Sequence, residues 1–483
     1  MGKLKNIIKQ LSNKDYKTLY DSLLESNADK SAYLLKVLRE RQMSDNRIMA
    51  ELGVNTNAYY TLRSRLNLKI EEYLMQQLQN PRTDVLRKVA NINETLFTQK
   101  RTIAIATLKK LEKELQDYDL ANELTIIYKA LKRLHIHSPD YFHYSQLYNR
   151  HVAYMLAVDK AEDLLADYFK KFGNYFLTGN ETDKLSLSLM LKEMLNVANL
   201  YESHRLYVLR SCMLIFHRLF VEPDENLSDD AEGIEDIFER VQKIFDTYNL
   251  DSLYYHLNLV FEFLKLEYYN HYKLYRQVER FYEEVNDAAG SLLSNYVNYT
   301  FPARFLITKL ERHLRLGTEA EMYEEIPNIF PDYEADPQDV PRYVIYIMYK
   351  ALAAYYSNNN AEAIKLINNL LNEISMKRYP QTALEIKLIL AFLYVLEREF
   401  ELFKPLATSI QRYYRTLEKP GPKNILYFLR ILKISTSEVK RDKAEKIHAV
   451  LPKLKRYTAA AFTPTLLIRF DNDLIKRLAE FER

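Results

Sequence analysis

The chain is short of turn-making residues. Its 483 residues include 8 Gly and 14 Pro, while Leu, Lys, Glu, Ala and Tyr dominate, which argues against a large β fold and for an all-α one. Cys212 is the only cysteine, which excludes an intrachain disulfide framework or a Cys-based zinc site and suits a reducing, cytoplasmic setting. Long apolar runs are missing too: even Tyr343 to Ala354 is broken by Lys350, so no membrane span is expected. The N-terminal MGKLKNIIKQLSNKDYK is basic but has no apolar core of a secretory signal. A net charge of +3 excludes a uniformly basic nucleic-acid coat and leaves room for a local patch.

Catalytic signatures are equally scarce. The chain has no glycine-rich phosphate loop, Gly-x-Ser-x-Gly elbow or His-Glu-x-x-His pair. His135, His137, His143 and His151 are spaced 2, 6 and 8 apart, with Pro139 between the first pair and the rest, and helical metal ligands want i, i+3 or i, i+4. Cys212, among Met213, Leu214, Ile215 and Phe216, reads as a core residue. No enzyme activity, metal or cofactor is expected.

What the chain does have is helical periodicity. Tyr16, Leu19, Tyr20, Leu23 and Leu24 mark one buried face, and Tyr33, Leu34, Val37 and Leu38 a second. Ser44 suits the N-cap of a third helix, Asp45 to Leu52, which Gly53 stops. Val54 then fills the corner, Asn55 or Thr56 can cap the next helix, and Tyr59, Leu62, Leu66, Ile70, Tyr73 and Leu74 form its inner face.

This Leu-Gly-Val corner resembles the helix-turn-helix of bacterial transcription factors. It departs from that family at Met49, where alanine is usual, and in a second helix that runs on to about Gln79. The resemblance implies DNA contacts from Asn55, Thr56, Asn57, Tyr60, Arg63, Ser64 and Lys69, with Lys14 and Lys17 available to phosphates. The competing reading is a corner that only joins two packed helices.

Beyond Pro81 the sequence reads as antiparallel helices with short polar joints. In LAFLYVLEREFELFKPL, Tyr394, Phe400 and Phe403 stand at offsets 0, +6 and +9, and Tyr355, Tyr356, Ala363 and Ile364 form a similar unit 39 residues earlier. These units resemble degenerate tetratricopeptide-like repeats, departing at Phe403, where a small residue is usual, and in a turn after Tyr355 that is one residue short. The resemblance implies an α-solenoid with a protein or peptide in its concave groove.

The expected organisation is a helix-turn-helix-like domain over 1–80, a first solenoid part over 81–330 and a second, with a C-terminal cap, over 331–483. The acidic Pro223 to Glu239 reads as a solvated joint, and the four prolines from Pro327 to Pro341 as a division between the solenoid parts. The basic stretch Lys440 to Arg456 reads as part of the cap. The 39 Tyr and 22 Phe sit mostly on apolar helical faces, as interhelical filling. Two functions follow: a cytoplasmic bacterial regulator that senses a protein or peptide and contacts DNA through its N-terminal domain, or a scaffold with no DNA contact.

Overall fold

The computed structural model describes residues 4, 8, 13–26, 28–40, 45–117, 121–201, 203–222, 232–248, 252–330, 333–417, 422–437, 442–455 and 461–480. Among them there is no β-strand, and successive helices pack as neighbouring pairs. No described helix is long and apolar enough to cross a membrane.

Local sequence explains how the helices begin and end. Asn180, Ser203, Asp339, Asn359 and Asp471 cap helix starts by accepting a backbone N–H from two or three residues ahead. Between the caps, apolar spacing decides which face turns inward. In Ile234–Thr247 the buried residues are Ile234, Ile237, Phe238, Val241, Ile244 and Phe245, one stripe of a helical surface.

The pairs close in a recurring way. Lys273, Gly317, Asn358 and Arg398 all have positive φ, between 58 and 73°, at separations of 44, 41 and 40 residues. At all four the closing hydrogen bond repeats as well: Leu274 N–H to Tyr269 O, Thr318 N–H to His313 O, Asn359 N–H to Ala354 O and Glu399 N–H to Tyr394 O, at 2.8–3.1 Å. This is the Schellman closure, in which a left-handed residue lets two N–H groups reach back to the last helical carbonyls. It also corrects the register read from the aromatics. Asn358 matches Arg398, so Ala354 is the counterpart of Tyr394, and the two turns have the same length.

Three apolar cores follow one another along the chain. The first gathers Leu19, Leu34, Ile48, Tyr59, Leu66 and Ile70, the second runs from Val85 to Tyr144, and the third, much larger, from Val158 to Leu478. The third runs unbroken across residue 330, with Pro327 inside a helix and Pro341 buried in the first turn of the next. Two long helices connect the cores: Thr56–Ala90, which continues through Pro81, spans the first and second, and Asp140–Thr178 spans the second and third.

The C-terminal half of Asp140–Thr178 lies inside the large core. A Cβ on Gly173 would come within 3.0 Å of the Phe301 ring and 3.1 Å of Pro341, so only glycine lets the backbones approach this closely. Tyr379 Oη donates to Asn174 Oδ1 at 2.6 Å and Thr382 Oγ1 to Leu177 O at 2.7 Å, pinning Pro380–Leu396 to this helix. The segment 461–470 crosses the same region: Phe462 stacks on Phe176 at 5.5 Å, and Tyr356 Oη donates to Leu467 O at 2.7 Å. Val340–Tyr356 and Pro380–Leu396 are in consequence buried on nearly every face.

Candidate functional site

The Gly53 corner is built for its backbone conformation. Gly53 has φ +61° and nothing within 4 Å of where a Cβ would stand, so conformation and not space demands glycine here. Gly53 N–H reaches Ala50 O at 3.3 Å and Val54 N–H reaches Met49 O at 3.1 Å, the same closure as in the later pairs. Ile48, Tyr59, Leu66 and Ile70 are buried beside it, with Leu52, Val54 and Leu62 packed around them. Arg39, 4.4 Å over the Tyr16 ring and donating to Ile8 O at 3.1 Å, ties the earlier helices together.

The residues chosen for DNA contact divide into groups. Asn55 accepts from Ala58 N–H at 2.8 Å, so its side chain serves as the N-cap. Arg63 does not face solvent alone: its Nη2 lies 3.8 Å from Asp287 Oδ2, at the end of Tyr275–Asp287, and its side chain is 20% exposed. One turn on, Asn67 donates to Glu71 at 2.8 Å. Tyr255 approaches the same face. With 49% of its surface open, its phenol is still raised above the ordinary value, by burial first and the Glu71 carboxylate second. Arg63, Asn67 and Glu71, at i, i+4 and i+8, therefore form a stripe turned towards the body.

Ser64, Arg65 and Lys69 lie on the adjoining exposed stripe, and Lys17 is exposed on the first helix. The side chains of Thr56, Asn57, Tyr60 and Lys14 lie outside the described residues.

Charge is strongly segregated along the chain. Over 1–150, 25 Lys and Arg against 17 Asp and Glu give +8; over 151–373, 21 against 36 give −15; over 374–483, 22 against 12 give +10. The Arg63–Asp287 pair joins the first of these stretches to the second. A partly exposed pair at this distance contributes about 0–1 kcal/mol, enough to orient a contact and too little to lock it.

The histidines are held by local structure. His135 is buried, lies 3.2 Å from Ser138 Oγ and stacks on Tyr144, and burial lowers its pKa. His151 Nδ1 lies 3.2 Å from Leu147 O. Among the described residues no group of three His, Cys, Asp or Glu could hold a metal ion. Cys212 is fully buried, and burial pushes its thiol far above the ordinary range, so it is not a nucleophile in this conformation.

Two buried polar nodes escaped the sequence reading. Lys309, with no exposed surface, donates to Tyr282 Oη at 2.8 Å and Asn286 Oδ1 at 2.9 Å and pairs with Glu325, so all three of its N–H groups are used. Glu385, also fully buried, accepts from Asn424 Nδ2 and from Thr465 Oγ1, each at 2.5 Å, and burial pushes its carboxyl up to about 7. Neither has a sequence signature, because the partners lie on other helices, 16 to 80 residues away.

No family model matches the chain, and no curated protein or solved structure matches it.

Proposed function

We propose that the chain is a non-catalytic helical-repeat protein, a tetratricopeptide-like α-solenoid in its larger part, that binds a protein or peptide partner. The observation that carries this reading is the left-handed closure recurring at Lys273, Gly317, Asn358 and Arg398, a period of 40–44 residues. A period of that size is what stacked helical pairs require, and such stacks serve mainly as binding surfaces. Because 461–470 and Asp140–Thr178 cover the helices that a central groove would present, the partner docks on the open earlier pairs. There Phe97, Phe142, Leu156 and Leu200 are 64–90% exposed. Replacing Phe142 and Leu156 by Glu should empty a pull-down that the wild-type protein fills; an unchanged partner list overturns this placement.

The Gly53 corner supports a further role for residues 1–80 as a helix-turn-helix-like module of a bacterial cytoplasmic regulator that contacts DNA. The contact of Arg63 with Asp287 favours a second reading, a scaffold in which the same helix serves only for packing. Asp287→Ala separates the two. A regulator gains DNA affinity when Arg63 is released, and its binding weakens as salt rises. A scaffold gives no mobility shift with either protein at any salt concentration.

A further inference from the structure

A cavity of about 450 Å³ lies where the end of Ser252–His271 and the start of Tyr275–Asp287 meet Arg304–Leu316 and Phe220. That volume falls within the roughly 300–1,000 Å³ of small-ligand pockets. The surrounding stretch 151–373 carries −15, yet the cavity wall carries Lys273, Arg304 and Arg315 against Glu267 and Glu311. The sign reverses locally.

Arg304 is the best-prepared group in this wall. Its guanidinium carbon lies 3.8 Å from the centroid of the Phe220 ring, its Nε donates to Glu267 Oε2 at 2.9 Å, and its side chain is 14% exposed. Plane and rotation are both fixed, while its two Nη groups have no hydrogen-bond partner among the described residues. Glu267 takes Thr308 Oγ1 on its other oxygen at 2.5 Å, so it is occupied in holding Arg304. The Lys273 ammonium, at the left-handed turn residue, also has no partner among the described residues. Arg315 is held over the Tyr275 ring at 4.0 Å by Glu279.

We propose that this cavity binds an oxyanion, the carboxylate of a bound peptide, through the free fork of Arg304 with Lys273 beside it. Three cations against two carboxylates suit a monoanion better than a dianionic phosphate, and a planar fork suits a planar carboxylate. Glu311, two helical turns or about 10 Å along from Arg304, accepts from Asn270 and leaves an oxygen for a ligand N–H. Phe220 and Tyr275 supply apolar wall for the side chain next to the carboxylate. That the carboxylate belongs to a peptide rests on the partner-binding reading above; the anion site itself does not.

The test is calorimetric titration of the full-length protein with acetyl-Ala-Phe-Leu as the free acid, with its C-terminal amide, and with inorganic phosphate. The acid should bind and the amide should bind about tenfold or more weakly. Lys273→Glu should weaken the acid by a similar factor. Arg304→Lys, which keeps a cation beside Glu267 but loses the fork, should do the same. No binding of the acid, equal binding of acid and amide, or indifference to Lys273→Glu would each overturn the site, and binding of phosphate alone would overturn the carboxylate assignment. Acid binding by a wild-type protein whose own pull-down captures no partner would strike the partner reading and leave the anion site standing.

Discussion

Two helices of similar length are put to opposite uses. Thr56–Ala90 has 35 residues and Asp140–Thr178 has 39, lengths of about 53 and 58 Å. The first gives Tyr59, Leu66 and Ile70 to one core and Val85 and Val89 to the next, and acts as a strut between them. The second, in its C-terminal half, buries Leu164 and Leu165, Tyr168 and Phe169, then Phe172 and Gly173, and acts as a spine inside the body. These pairs repeat every four residues, so they make one face twice as broad as a single row, while Asp163, Asp167, Lys170 and Lys171 stay exposed behind it. Length does not distinguish a strut from a spine. The breadth of the apolar face does.

The sharpest way to break this contrast is to cut one large side chain from each helix. Phe172→Ala should cost about 3–5 kcal/mol and lower the unfolding midpoint of the whole body in urea. Ile70→Ala should instead produce an early transition confined to the N-terminal unit; if it lowers the body equally, the distinction fails.

The next effect depends on pH. Glu385 is raised from 4.5 to about 7 in the folded protein, so its stabilising protonated form is fully present below pH 4.5 and is lost as pH rises through 7. Stability of the spine region should fall by on the order of 3 kcal/mol across that window. Glu385→Gln should flatten the profile in thermal melts.

Smaller effects sharpen the same comparison. Gly173→Leu should cost about 1–3 kcal/mol, because the new side chain meets Phe301 and Pro341 at once. Gly53→Ala meets nothing, and should cost only the left-handed backbone penalty of about 1–2 kcal/mol. A Gly173→Leu loss smaller than that of Gly53→Ala, measured by denaturant titration, would mean that close packing is not what Gly173 provides.

The all-helical character was legible in the scarcity of glycine and proline, and the Gly53 corner in the spacing of Ile48, Leu52, Val54 and Tyr59. The helix pairs around Tyr355 and Tyr394 were also legible, though offset by one residue, because aromatics on a buried face can move by one position while the turn cannot. The left-handed residues at three of the four closures are Lys, Asn and Arg, which sequence reading ordinarily passes over as polar residues of a joint. The seat of Arg63 on Asp287 was not legible, since the two are 224 residues apart and neither position is unusual in sequence. Lys309 and Glu385 were hidden for the same reason: a lone charge on a helix reads as solvated until its partners are known.

The spine has a mechanical consequence. A single helix about 58 Å long, with one end gripped by the body and the other set in the smaller core of 85–148, has the geometry of a lever arm. A bend near Leu156, between the two cores, would amplify a small change at the gripped end into a swing of the earlier helices and of the strut beyond them. A pair of spectroscopic labels, one near Phe97 and one near Leu426, would register that swing as a change in distance whenever a ligand alters how the body grips the helix.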